Sequence, residues 1–237
     1  MEYLPIKTRI VQPSKDDMFT VFDEYLTDVH EGDIVLVTSK IVAIHQGRCV
    51  PIGEADKRVL IEQEAEYLLK STEEQSGSSL TIVHNALFYG AGIDESNADG
   101  HYILLPLKPF AAAKAVWQYL QKKHSLQNVG VLITDSHSSP MRTGATGIAI
   151  AWWGFHPTVS HKQKRDLFGR ELQFSVTNVV DALAGGATVV CGETNECTPI
   201  VIARNVPHIV FTTEDTREEL FTTIEEDVYY PLLKGFY

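Results

Sequence analysis

Three short runs rich in β-branched residues, Ile34 to Val42, Val129 to Thr134 and Pro199 to Ala203, recur along the chain with helical periodicity between them. This interleaving constrains the fold more than any other feature. Runs of this length and composition suit buried strands. Apolar residues at helical intervals mark Asp16 to Leu26, Glu54 to Lys70, Pro109 to Gln121 and Phe174 to Val190 as helices. Leu80 to His84 and Gly144 to Gly154 read as further strands, the second ending in Trp152-Trp153, whose rings suit the core or a dimer contact. Ser71 to Ser79 is a polar loop. With no repeat and no clear linker, a single entwined α+β unit over residues 1–237 is the simplest organisation.

Composition excludes several function classes. A formal charge of −11 argues against a nucleic-acid binder, which needs lysine and arginine contacts to phosphates. The one local basic run, His161-Lys162-Gln163-Lys164-Arg165, reads as a solvated loop or as a contact for an anionic substrate. No stretch approaches the ~20 apolar residues that cross a bilayer, and the N-terminus lacks the pattern of a secretion signal. No membrane partner and a cytoplasmic setting are expected. Cys49, Cys191 and Cys197 are odd in number and lack a Cys-x-x-Cys spacing, so they read as reduced thiols.

Oxygen donors gather at two places. Asp94, Glu95, Ser96 and Asn97 follow Gly90-Ala91-Gly92, a stretch permitting tight turns and close backbone approach. Asp135-Ser136, expected at a strand exit, adds a second carboxylate. Hard divalent ions such as magnesium and manganese take such ligands together with substrate phosphates. The alternative is that both segments form Asx-type turns whose side chains only cap the backbone. Arg142 could clamp a carboxylate or phosphate, or form a surface ion pair. Gly192-Glu193-Thr194-Asn195-Glu196 offers further oxygen ligands, but it is not a Walker motif, and no Gly-x-Gly-x-x-Gly occurs. His137 is a base, a ligand or a structural histidine.

Five segments in order resemble the coenzyme F420-0:γ-glutamyl ligase family: Thr38-Ser39-Lys40-Ile41-Val42, Gly90 to Asn97, Ile133-Thr134-Asp135-Ser136, Asp166-Leu167-Phe168-Gly169-Arg170 and Gly192-Glu193. The resemblance implies a largely antiparallel mixed sheet with flanking helices, built into an intertwined homodimer. It also implies an enzyme that joins L-glutamate to an acceptor carboxylate through an acyl phosphate, at the expense of GTP (or ATP), with Mg2+ or Mn2+. Position by position, Asp94, Asp135, Ser136 and Glu193 match the metal-binding positions. Ser39, Lys40, Asn97 and the loop Cys191, Gly192, Glu193, Thr194, Asn195, Glu196, Cys197 and Thr198 match nucleotide contacts. Ile6 to Arg9 falls near another. Asp94 and Asp135 thereby join the catalytic set, to which residue type and position add Arg142.

Two departures bear on the acceptor. The deazaflavin ligases tend to read Thr-Asp-Thr-x-Gly-Arg-Pro-Trp-Arg, where this chain has Thr134-Asp135-Ser136-His137-Ser138-Ser139-Pro140-Met141-Arg142. A lysine common in the family is Ile44 here. Both, with Asp166 to Leu172 and Glu196-Cys197-Thr198-Pro199, look more like a branch linked to folate metabolism, so a folate is the expected acceptor. The alternatives are the deazaflavin precursor itself and a nucleotide-binding regulator without turnover.

Overall fold

The apolar runs come to lie in the middle of a sheet, where both faces are covered. The computed structural model describes residues 1–69 and 79–236. The first half of the chain carries β1 (Glu2–Ile6), α1 (Met18–Tyr25), β2 (Ile34–Thr38), α2 (Ser39–His45), β3 (Cys49–Pro51), α3 (Lys57–Glu64), β4 (Tyr67–Leu69), β5 (Leu80–Val83), β6 (Ala86–Tyr89) and β7 (His101–Ile103). The second half carries α4 (Pro109–His124), β8 (Gly130–Ser138), β9 (Ala145–Trp153), β10 (Thr158–Ser160), β11 (Val176–Asn178), α5 (Val179–Cys191), β12 (Ile200–Arg204) and α6 (Tyr230–Leu233).

The main sheet has the order β1-β12-β2-β8-β9. Its pairings are antiparallel except β2 with β8, which run parallel with Thr38 opposite Thr134. The architecture is therefore α+β with a mixed, largely antiparallel sheet. Strand alternation divides the core in two. Ile34, Leu36, Leu132 and Val201 point to α5, meeting Val180, Leu183 and Ala184. Val35, Val37, Val131 and Ile133 point the other way, to α1, α4 and the β5–β6 hairpin. Trp152 is fully buried against Phe110 and Phe221, the first of the two roles, core or dimer contact, expected of it.

Several boundaries differ from expectation. The run from Ile34 does not continue as strand to Val42. Its ladder ends at Thr38, whose N–H bonds Pro199 O, and Ser39 opens α2. The amphipathic stretch from Glu54 is helical only over Lys57–Glu64, capped by the Asp56 carboxylate on the Arg58 N–H, and then becomes β4. Lys70 and most of the expected polar loop, Ser71 to Ser78, lie outside the described residues. Helix α5 starts at Val179, after Asn178 caps the Asp181 N–H. Residues 176–178 instead pair with β10. Asp135 is inside β8 rather than at its exit, because the β8–β9 ladder runs on to Ser138 opposite Ala145. Among the described residues, no helix is long and apolar enough to cross a membrane.

Helix α5 lies so close to β9 that a Cβ at Gly147 would fall 2.2 Å from Ala184 O and 2.4 Å from Thr188 Oγ1. Gly147→Ala is predicted to force α5 off the sheet and cost about 2 kcal/mol or more, read as a lowered urea midpoint. An unchanged midpoint would contradict this packing.

Candidate active site

The β2–α2 junction supplies the first two side chains of the site. Because β2 and β8 run side by side, the chain leaving Thr38 carries Ser39 to Asp135, and the Ser39 hydroxyl donates to Asp135 Oδ2 at 2.7 Å. The other oxygen of Asp135 accepts the Ser136 N–H at 2.7 Å. One residue on, the Lys40 ammonium contacts Asp94 Oδ2 at 2.7 Å and donates to Ser96 O at 2.8 Å.

Asp94 is delivered by a turn held from below. Ala91 N–H donates to the buried Thr81 hydroxyl at 2.9 Å, and that hydroxyl donates in turn to Phe88 O. Gly92 has φ +68°, and a Cβ there would lie 2.8 Å from Leu105 Cδ1, so neither the backbone nor the space admits a side chain. Asp94 then pairs with Ile103 through two backbone hydrogen bonds. Its Oδ1 accepts both the N–H and the hydroxyl of Ser96, at 2.7 and 2.8 Å. The turn-forming alternative is thus realised at Asp94 with one oxygen. The other faces Lys40.

The electrostatics of the two carboxyls diverge. Burial pushes Asp94 up, but the hydrogen bond and charge of Lys40, with the two Ser96 donors, outweigh it and hold Asp94 below the usual carboxylate range. Burial dominates at Asp135. Ser39 and Ser136 only partly oppose it, the negative charge of Asp94 adds to it, and the carboxyl is pushed up to about 6. Two acids with a single ammonium between them make a place short of positive charge, which suits a divalent cation.

A second loop closes one side. Asn97 donates from Nδ2 to Thr194 O at 2.7 Å, tying the Asp94 loop to residues 192–198. Within that loop the Glu196 carboxylate accepts the Thr194 N–H and hydroxyl, and Thr198 Oγ1 donates to Cys191 O. Thr8 N–H donates to Cys197 O at 2.8 Å, which brings the Ile6-to-Arg9 segment alongside. Ser39, Lys40, Asp94, Asn97, Asp135 and the 191–198 loop therefore assemble at one end of the sheet. Glu193 is not brought to the two aspartates: among the described residues, no three His, Cys, Asp or Glu side chains converge as metal ligands. Ser136 joins through its N–H, since strand alternation turns its side chain to the opposite face from Asp135. His137 shares the Asp135 face by the same alternation, and its Nδ1 is buried with no hydrogen-bond partner among the described residues.

Arg142 is not at this cluster. It lies exposed in the turn between β8 and β9, with Met141 beside it fully exposed, and about 10 Å of strand separates Asp135 from Ser138 alone. Sequence reasoning also missed Lys57, which pairs with Glu95 at 2.5 Å and braces the Asp94 loop against α3. Nothing in spacing links those positions. The three cysteines are free thiols, and the 161–165 basic run is largely exposed, the loop it was expected to be.

The raised Asp135 carboxyl has a sign that can be measured. A folded value of about 6 against 3.8 means ionisation opposes folding. The cost is absent below about pH 4, grows towards pH 6 and is constant above it. In chelator, Asp135→Asn is predicted to gain stability relative to the parent by up to about 3 kcal/mol between pH 4 and 7, measured by urea unfolding. A difference that does not change with pH would contradict the assignment.

Residues 5–205 match the family model described as F420-0:Gamma-glutamyl ligase. A coenzyme F420:L-glutamate ligase of Halobacterium salinarum is 30% identical, with 93% of this chain and 92% of that protein covered. One from Methanococcus maripaludis is 30% identical over 97% of each chain, and one from Methanothermobacter thermautotrophicus 32% identical over 76% of this chain and 77% of its own. These names overturn the folate acceptor. Met141 and Arg142 sit in an exposed turn, and Ile44 is buried in a cluster with Ala43, Ala98 and Ile103.

Proposed function

Given that this chain belongs to the F420-0:γ-glutamyl ligase family, we propose that it joins L-glutamate by an amide bond to the carboxylate of coenzyme F420-0, driven by GTP or ATP. The observation that carries this reading is the gathering of Asp94 and Asp135 about Lys40, beside the 191–198 loop.

A carboxylate is a poor electrophile until one oxygen becomes a leaving group. In the proposed reaction an acceptor carboxylate oxygen attacks the γ-phosphorus, the bond to the β-phosphate oxygen breaks, and an acyl phosphate forms. The glutamate amine adds to the acyl carbon, phosphate departs and the nitrogen loses its proton to solvent. Lys40, which in this structure neutralises Asp94, would turn to the γ-phosphate oxygens when the nucleotide binds. The Asn97–Thr194 bond holds the two nucleotide-side loops at a fixed separation. A magnesium or manganese ion held by Asp94 and Asp135 would neutralise the phosphate oxygens.

We also take the chain to be one ligase unit acting in the cytoplasm as a homodimer. Leu167, Phe168 and Phe174 are 99%, 96% and 89% exposed on the arm joining β10 to β11, more apolar surface than a lone arm should show to water. Arg142, outside the cluster of its own chain, keeps a carboxylate-holding role only through such an assembly. By light scattering, the parent should run as a dimer and Phe168→Asp as a monomer. A monomeric parent would remove this part of the reading.

The activity is tested with purified protein, F420-0, L-glutamate, GTP or ATP, and magnesium or manganese, with mass spectrometry of the product. One added glutamate is expected, and Lys40→Met should lower kcat by about a hundredfold or more. Absence of product with either nucleotide and either metal would refute the reading.

A further inference from the structure

A cleft of about 850 Å3 opens on the far side of the Asp94 loop from the nucleotide-side residues, within the size range of small-molecule sites. Its floor is Ile61, Ile93 and the nearly buried ring of Tyr102, and its walls are Tyr89 at the end of β6 and the first turn of α3 with Arg58. Asp94 pairs with Ile103, so alternation sends Ile93 and Tyr102 to this face and Asp94 to the other. The cleft and the Asp94–Asp135 cluster are thus separated by the thickness of one two-stranded ribbon. Lys57 spans the boundary, paired with Glu95 on the loop and lying 5.8 Å from the centre of the Tyr102 ring.

Two features of this cleft go unused by the fold. Tyr89 is 57% exposed, presenting an aromatic face to the opening. Arg58 is exposed and, among the described residues, enters no ion pair, whereas Lys57 is held by Glu95 and Asp56 by the N–H of Arg58, with exposed Glu54 the other carboxylate of the lining. An open tyrosine face over an apolar floor, with an unpaired guanidinium at the rim, suits a flat aromatic ring system that carries an anionic group. We propose that this cleft binds the deazaflavin ring of the acceptor, with Tyr89 against the ring and Arg58 on an anionic group of the same molecule, the carboxylate end passing around the ribbon to Asp94.

This inference rests on the ligase reading for the identity of the acceptor. The alternative occupant is the nucleotide base, but Ser39, Lys40, Asn97 and the 191–198 loop gather about Asp94, whose side chain leaves the ribbon on the face opposite Ile93 and Tyr102.

The test is calorimetric binding of F420-0, and separately of GTP and ATP, to the parent, Arg58→Ala and Tyr89→Ala, without glutamate so that no turnover is needed. Both positions are exposed, and matching thermal melts will show that the variants fold. Each substitution is expected to weaken F420-0 about tenfold, with nucleotide binding unchanged within about twofold. Unchanged F420-0 affinity in both variants, no F420-0 binding to the parent, or a loss confined to the nucleotide would each overturn the proposal. Arg58-dependent binding of F420-0 by a parent that forms no glutamylated product would instead defeat the ligase reading and leave the cleft standing.

Discussion

The parallel register of β2 on β8 sets the geometry of everything at the site. With Thr38 opposite Thr134, the next residue of each strand's chain is Ser39 and Asp135, and their side chains meet at 2.7 Å. A one-residue slip would turn Asp135 to the α5 face and leave Ser39 with nothing to donate to. The register is fixed by the core, since the same slip would exchange Ile34 and Leu36 for Val35 and Val37 across two different hydrophobic layers. Burial of ordinary aliphatic side chains thus positions the carboxylate. The chemistry is attached to a frame that hydrophobic alternation determines.

From that fixed point the rest of the cluster is built by short-range bonds. Lys40 follows Ser39 into the first turn of α2 and reaches the Asp94 loop, and Asn97 ties that loop to residues 192–198. The arrangement is electrostatically incomplete. Lys40 satisfies Asp94, but Asp135 has only neutral donors, and its raised carboxyl registers the deficit. Lys40 in effect holds part of the positive charge that a divalent ion would supply. A divalent cation bound as proposed would make up that deficit.

The sheet's central strands were legible from β-branched runs, because burial on both faces leaves a continuous apolar signature. Their ends were not. Ile41 to Ile44 is as apolar as the strand before it, and the β2–β8 ladder ends at Thr38, after which the chain is helical. The helix expected over Glu54 to Lys70 shrank to two turns for a similar reason, as β4 found β5 to pair with. At the site, Asp94, Asp135, Lys40 and Asn97 were legible through family motifs, whereas spacing alone could not separate Asp94 from an Asx turn. One of its oxygens makes that turn with Ser96, and the other is left to Lys40. Arg142 lies seven positions beyond Asp135 and reads as near it, while the extended hairpin carries it away from the cluster of its own chain. The folate inference rested on motif departures in that hairpin and at Ile44, and the relatives that share most of the chain's length are F420 ligases.

The central claim is that Asp94 and Asp135 together hold a divalent cation beside the nucleotide. Titration of the protein with Mn2+ in the presence of a nonhydrolysable GTP or ATP analogue, following free Mn2+ by electron paramagnetic resonance, tests it directly. The account predicts saturable uptake by the parent, and loss of protein-dependent uptake, beyond that of the analogue alone, in both Asp94→Asn and Asp135→Asn. Parent-like uptake by both variants would contradict it.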